Sequence, residues 1–348
     1  MSGERSADLV ARAAADGHTW LPGALVASVA GADDLADAIG AGLLVRVDVP
    51  GDAETAGVAL PGVAEDEELL GDVLAALADE GRLAVVTGPA GAGRAEVVAS
   101  LRTKAEAEGS TAVLLDDAER LGMPDVLAAA EDLDDALLLL AGDPAALVTG
   151  EGPGAVLRDV VAAAVCPVVA APPDPGRPGP LRDLDAALRR GELVAPSADD
   201  RSLVVVPVAD DAEAVLRVGQ LVSSSIPRAF GVSGAEVAVL TPLRRGDAGA
   251  EALSAVLTPA GGGAGPDVRL VHEAVGSSWP AVVLVLPGSA AGVLSRALLV
   301  SALSCARRHL SVVDGTGSAL GRAVAEVPDR VRRTRLAGLL AAAGRGDG

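Results

Sequence analysis

The glycine-rich stretch Thr87-Gly88-Pro89-Ala90-Gly91-Ala92-Gly93-Arg94-Ala95 restricts the folds open to this chain more than any other segment. An apolar run with the composition of a buried strand, Leu83 to Val86, precedes it, and a helix-forming run, Ala95 to Leu101, follows. A strand that turns through glycines into a helix aims the helix's first amides at an anion. The pattern G-x-x-x-x-G-K-[ST] uses this arrangement to cradle phosphates. Gly88 and Gly93 keep that spacing. Arg94 stands in place of the lysine that reaches the β- and γ-phosphates, and Ala95 in place of the hydroxyl that ligates Mg²⁺. The frame of a phosphate-binding loop is therefore expected, with its phosphate-handling side chains exchanged. Read as a dinucleotide loop, Gly91-x-Gly93-x-x-Glu96 lacks its third glycine.

Around this loop, apolar runs alternate with helical patterns. Strands are expected at Leu83–Val86, Ala112–Leu115, Ala136–Leu140 and Pro167–Ala170, and helices at about 68–80, 95–108, 120–130 and 154–164. Such alternation predicts a parallel sheet with helices on both faces. Residues 171–181, rich in Pro and Gly, read as a linker or exposed loop. A second α/β unit follows, with strands at Leu203–Val208, Val237–Leu240, Val268–Val271, Val282–Leu286 and Leu310–Val313, and an Arg-bearing helix from Pro328 to Ala343. Ahead of both, helices at 7–16, 22–30 and 32–40 precede a ribbon of Leu43–Val49 and Thr55–Leu60, the pattern of a small winged-helix-like module. The expected division is 1–65, 66–180 and 181–348.

The 348-residue chain carries a net charge of −20 and three aromatic residues, Trp20, Phe230 and Trp279. Its cores must be built from Ala, Val and Leu. That charge repels a phosphate backbone, and nucleic-acid binding is disfavoured. Within the N-terminal module, residues 31–70 hold ten carboxylates against the single base Arg46, which argues for protein contact rather than DNA contact there. Two cysteines, Cys166 and Cys305, are too few for a disulfide framework and point to a reducing, cytoplasmic setting. The apolar stretches Val160–Pro173 and Ala281–Val300 are too short, or broken by Pro287 and Arg296, for a membrane span. His18, His272 and His309 are dispersed, and no G-x-S-x-G elbow accompanies them.

Two further constellations carry chemistry. Leu114-Leu115-Asp116-Asp117 ends a strand about twenty residues after the loop. Two acids in that place are ordinarily a solvated turn; beside a glycine-rich loop they read as the relic of a metal-shell acid and a neighbouring base. The other is Leu138-Leu139-Leu140-Ala141-Gly142-Asp143-Pro144-Ala145-Ala146-Leu147, followed by Gly152-Pro153-Gly154-Ala155-Val156-Leu157-Arg158-Asp159.

With these segments the chain resembles the RecD-like helicases of superfamily 1, which carry a strand followed by G-D-P-x-Q-L and then G-P-G-x-V-L-R-D-L. The resemblance extends through Ser225-Ile226-Pro227, Thr241-Pro242-Leu243-Arg244-Arg245-Gly246, His272 to Trp279, Leu294-Ser295-Arg296, Ser301 to Ala306, and Arg333-Thr334-Arg335-Leu336. Gly17-His18-Thr19 with Leu21-Pro22 is similar to the family's N-terminal module. It implies a P-loop NTPase with two RecA-like lobes, ATP between them and single-stranded DNA across the top.

The departures from the family pattern fall on chemistry. Arg94 and Ala95 replace the loop's Lys and hydroxyl, Asp117 the water-activating Glu, Ala146 the γ-phosphate-sensing Gln, and Cys305 the arginine finger. In the stretch that keeps His272, Gly276 and Ser277, the residues Glu273, Ala274, Val275 and Ser278 replace Lys, Ser, Gln and Glu. The adenine-contacting Gln has no counterpart near Asp72, and Thr258 to Pro266 bridges the place of a small β-barrel insert. An arginine finger alone is worth about 10³–10⁵ in rate, roughly 4–7 kcal/mol of barrier. One such loss removes useful turnover.

The expectation is thus a degenerate, catalytically inactive helicase homologue serving as a binding or scaffolding module for an unknown protein partner. Its alternatives are an ATP-binding switch without turnover and a weakly active helicase. Gly88, Gly91, Gly93, Arg94 and Asp143 would form the vestigial nucleotide site, with Asp116 and Asp117 vestigial acids. This reading requires no cofactor and no metal; should ATP with Mg²⁺ bind, it would do so at low affinity, with Asp116 as the metal's ligand. Arg308, three residues beyond Cys305 and read as sharing its helical face, is a substitute finger candidate. The cluster Arg330, Arg332, Arg333 and Arg335 reads as a solvated helix face, with a nucleic-acid contact as the lesser alternative.

Overall fold

Three helices and a short β-ribbon open the computed structural model, which describes residues 3–344 apart from 52–53, 90, 151, 198, 259–264 and 330–331. Helices α1 (Glu4–Ala15), α2 (Gly23–Ala30) and α3 (Ala32–Gly40) pack with strands β1 (Leu21–Pro22), β2 (Val45–Val47) and β3 (Gly57–Ala59). The sheet is antiparallel, in the order β1-β3-β2, over a core of Val10, Val26, Leu35, Leu44 and Val58. This is the winged-helix-like arrangement, completed by a strand the sequence pattern does not reveal. Two residues are too few for a period, and Pro22 is tolerated because β1 lies at the sheet edge.

The chain then builds α4 (Pro61–Asp79), β4 (Leu83–Thr87), α5 (Ala92–Ala107), β5 (Ala112–Leu115), α6 (Met123–Glu131), β6 (Leu137–Gly142), α7 (Val156–Ala163) and β7 (Val168–Ala170). These four strands are parallel, in the order β5-β6-β4-β7. Central β6 is an unbroken apolar run because both its faces are covered. Leu138 and Leu140 pack with Leu70, Leu74, Val85 and Leu157.

A second unit comprises α8 (Gly179–Arg190), β8 (Leu203–Pro207), α9 (Asp211–Gln220), α10 (Ile226–Phe230), β9 (Val237–Thr241), α11 (Ala250–Leu257), β10 (Asp267–Leu270), α12 (Val271–Ala274), β11 (Trp279–Leu286), α13 (Arg296–Ser304), β12 (Ala306–Asp314) and α14 (Ser318–Glu326). Its five strands are also parallel, in the order β10-β9-β11-β12-β8. Side-chain caps start two of its helices: Asp210 accepts from the Glu213 N–H at 2.8 Å, and Ser295 from the Leu298 N–H at 3.2 Å.

By internal contact the first unit comprises 1–144, 148–172 and 331–348, and the second 145–147 and 173–330. Each holds a parallel sheet with flanking helices, and the first carries the glycine-rich strand-to-helix turn. The fold is that of a RecA-like P-loop NTPase. No helix among the described residues is long and apolar enough to cross a membrane.

The C-terminal helix is a correction. It is α15 (Leu336–Ala343) rather than Pro328 to Ala343, and it belongs to the first unit although it follows the second in sequence. Leu336 and Leu340 are buried with Leu70 and Leu74 of α4 and Val160 of α7.

Candidate functional site

Parallel pairing brings the loop, the acid pair and the Gly142-Asp143 segment to one edge of the first unit's sheet. Thr87 lies opposite Gly142, and Leu115 opposite Leu140, so the chain leaves β4, β5 and β6 side by side. Gly88 takes φ of 141°, a conformation L side chains rarely adopt, and donates its N–H to the Gly142 carbonyl at 3.0 Å. A Cβ on Gly93 would collide with the Pro172 carbonyl, so glycine is what lets the segment after β7 lie on the start of α5. Ala90 lies outside the described residues.

Arg94, on the first turn of α5, is 4% exposed and turns back onto the acid pair. Its guanidinium pairs with Asp116 at 3.0 Å, forms an ion pair with Asp117, and donates to the Gly88 carbonyl at 3.3 Å. Asp117 is held at φ 49°, a left-handed conformation that Asp tolerates better than most residues, and donates its N–H to Asp116 Oδ1 at 3.0 Å.

Sequence reasoning missed Glu119. It reads as one more acid of a charged turn, yet it is buried beneath the pair and accepts the Asp143 N–H at 3.1 Å. Gly142 admits it: a Cβ there would strike the Glu119 carboxylate. Burial, reinforced by Asp117 and opposed by the Glu119 and Asp143 amides and by Arg94, pushes its carboxyl up to about 7. Asp143 itself is buried. The only advance signal was position, two residues after an acid pair that ends a strand.

These residues do not fit a magnesium nucleotide. The cation that would meet phosphate is engaged with Asp116, Asp117 and the Gly88 carbonyl. Asp116, the expected metal ligand, is paired with Arg94, and Ala95 offers no oxygen. The Gly88 amide is committed to Gly142. What the arrangement does chemically is set one internal guanidinium against two carboxylates, so that the charge of one of them is offset within the protein.

In the second unit, the sequence placed Arg308 on the helical face of Cys305. That is corrected. Helix α13 ends at Ser304, and Arg308 lies on strand β12, donating to the Phe230 carbonyl at 3.3 Å. Cys305 is fully buried and donates to the carbonyls of Ser301 and Ala274, at 3.2 and 3.4 Å. Burial pushes its thiol up to about 12. His272 is exposed on α12, and its neighbour Glu273 pairs with Arg244 at 2.7 Å, joining two of the motif-bearing segments.

The arginine cluster near the C-terminus is likewise not a solvated helix face. Arg332 donates to the Gly154 and Val148 carbonyls at 2.8 and 2.9 Å, and Arg335 is 3% exposed. Arg330 lies outside the described residues. Thr19 donates its N–H to the Arg333 carbonyl at 2.7 Å, and Arg333 its N–H to His18 Nδ1 at 2.9 Å. The Gly17-His18-Thr19 and Arg333-Thr334-Arg335 segments, at opposite ends of the sequence, thus form one contact.

No protein-family model matches the sequence, and no curated protein does. Among solved structures the chain is similar to the arterivirus nonstructural protein 10 helicase, at 14% identity over 80% of this chain and 72% of that one, with a TM-score of 0.35. The complex of arterivirus nonstructural protein 10 with DNA gives 14% identity, coverages of 81% and 73%, and a TM-score of 0.36. The PRRSV helicase gives 15% identity, coverages of 76% and 58%, and a TM-score of 0.39. Likeness at this level carries nothing about the site, which rests on its own geometry.

Proposed function

We propose that this chain is a RecD-like superfamily 1 helicase homologue that keeps the two-lobed fold, has given up ATP hydrolysis, and acts as a binding or scaffolding module for a protein partner. The observation that carries this reading is the buried Arg94 guanidinium bound to Asp116 and Asp117 at the mouth of the loop. A group so engaged is not available to stabilise a transferring phosphoryl, and the acid that would hold a metal is already paired. Ala95, Ala146 and Cys305, at the positions the resemblance assigns to hydroxyl, sensor and finger, add losses in the same direction. DNA binding is not part of the reading. The net charge of −20 and the scarcity of aromatics oppose both phosphate tracking and base stacking.

The test is phosphate release from ATP with Mg²⁺, with and without single-stranded DNA, comparing the protein with its Asp116→Ala variant. Equal background rates are expected. Turnover that Asp116→Ala abolishes would overturn the proposal. Thermal unfolding with ATP, ADP and GTP, each with and without Mg²⁺, separates this reading from a nucleotide-binding switch, which requires a shift with at least one of them.

A further inference from the structure

The second unit holds a cavity of about 350 Å³ that the nucleotide reading does not use. Its lining follows from strand periodicity. Alternate residues Leu203 and Val205 of β8, and Leu310, Val312 and Asp314 of β12, point to one face of the sheet with Leu284 of β11, and α8, α13, α14 and the loop residues Leu193, Val194 and Gly317 supply the remaining walls. The walls are buried leucines, while Leu193, Val194 and Val205 keep 45%, 37% and 40% of their surface exposed at the cavity. The water-facing side is therefore apolar too. Cavities of this size and lining hold ordered water poorly, because water needs polar partners, and they take apolar guests instead.

The polar end selects the guest. Asp314 closes the apolar row of β12, and its Oδ1 accepts both the N–H and the hydroxyl of Thr316, at 2.8 and 2.6 Å. No described residue donates to Oδ2, and the carboxylate already supplies an anion beside the first turn of α14. Among the described residues no Lys, Arg or His lines the cavity, so a carboxylate or phosphate head would have no counter-charge there, and none of the lining side chains is aromatic for a flat ring to stack on.

We propose that this cavity is a binding site for an aliphatic molecule with a hydrogen-bond-donating head, an aliphatic amine before all others. The head sits on Asp314 Oδ2, and the chain lies along Leu203, Leu299 and Leu310. Gly321 provides the decisive variant. It lines the cavity from α14, and a Cβ there meets nothing within 4 Å, so Gly321→Leu fills the space without backbone collision and improves helix propensity.

The experiment is calorimetric titration with decylamine, decanol and decanoate below their micellar concentrations, on the full chain and on Gly321→Leu and Asp314→Asn. The amine is expected to bind at least about tenfold more tightly than decanoate, the worth of one charge-assisted hydrogen bond. Gly321→Leu should melt no lower than the parent and lose all three ligands. Asp314→Asn should remove the amine's advantage over the alcohol and leave the alcohol's affinity in place. Amine binding that survives Gly321→Leu would be adsorption to an acidic surface and would overturn the proposal. Decanoate binding as well as the amine, or no binding by any probe, would overturn it equally.

Discussion

Arg335 and Glu67, 268 positions apart in the chain, form an ion pair that is buried on both sides, Nε to Oε2 at 2.9 Å. The Glu67 carboxylate also accepts the Arg335 N–H at 2.6 Å, the Leu336 N–H at 3.2 Å and the Thr19 hydroxyl at 2.8 Å. The rest of the guanidinium is taken up by the Ala64 carbonyl and Glu68, at 3.0 and 2.9 Å. One carboxylate thus ties the N-terminal module, α4 and the start of α15 together.

Removing one partner of such a pair strands the other's charge. Glu67→Ala is expected to cost about 3–5 kcal/mol, and Glu67→Leu with Arg335→Met much less, because replacing both charges leaves none buried alone. Urea unfolding of the single and double variants checks this. A single-variant loss within experimental error of zero would contradict the burial described.

Two buried carboxyls are expected to lower stability as pH rises towards neutrality, against His18 and His309, whose imidazoles burial holds below their ordinary value and which act in the opposite sense. Glu119 and Asp159 both have carboxyls pushed up to about 7, burial being the main cause in each. For Asp159 the nearby Glu67 adds to the rise and the Thr334 hydroxyl, donating at 2.9 Å, opposes it. Its other oxygen is buried without a partner, the natural seat for a proton. Unfolded, the two groups release their protons near their ordinary values of 4.5 and 3.8. Between those values and about 7 the folded chain therefore holds more protons. Each group then lowers stability by at most about 1.4 kcal/mol per pH unit as pH rises, and the loss levels off above 7. Asp159→Asn, which keeps an acceptor for Thr334, should flatten the slope between pH 5 and 7; an unchanged slope would rule Asp159 out as its source.

The parallel strands of the first unit were legible because each is an apolar run close to Gly, Pro or Asp; Ala112–Leu115 matches end to end. The loop and the acid pair were legible for the same reason, each being carried by a short window. What closes the site was not. Arg94 meets Asp117 across 23 residues, and no local pattern distinguishes a phosphate-facing arginine from one folded onto its own acids. Glu67 lies in the run Glu65-Asp66-Glu67-Glu68, which reads as solvated, and its burial is decided by a partner near the other end of the chain. Arg308 was misplaced because Ala297 to Ala306 contains no Gly or Pro to announce that the helix stops at Ser304.

Gly142 and Glu119 should behave as a coupled pair. Gly142→Ala drives a methyl into the Glu119 carboxylate, an overpacking expected to cost about 1–3 kcal/mol. Shortening the acid makes room, so Glu119→Ala should recover part of that loss in the double variant. A double-mutant cycle by chemical denaturation reads the coupling directly, and strictly additive losses would mean that the two groups do not touch.

The clamp on the acid pair makes the last prediction. If Arg94 is what keeps magnesium nucleotides out, restoring the loop's lysine and hydroxyl in Arg94→Lys with Ala95→Thr frees Asp116 and supplies the missing oxygen. Lysine is a point charge without the planar fork that grips both carboxylates. The double variant should therefore gain a thermal shift with ATP that requires Mg²⁺, about 2.7 kcal/mol of stabilisation at a hundredfold excess over the dissociation constant. It should still fail to hydrolyse, because Ala146 and Cys305 are untouched. The parent should show no magnesium-dependent shift. If it does, Arg94 yields to nucleotide, and the pairing with Asp116 and Asp117 is a resting contact rather than a replacement for the metal.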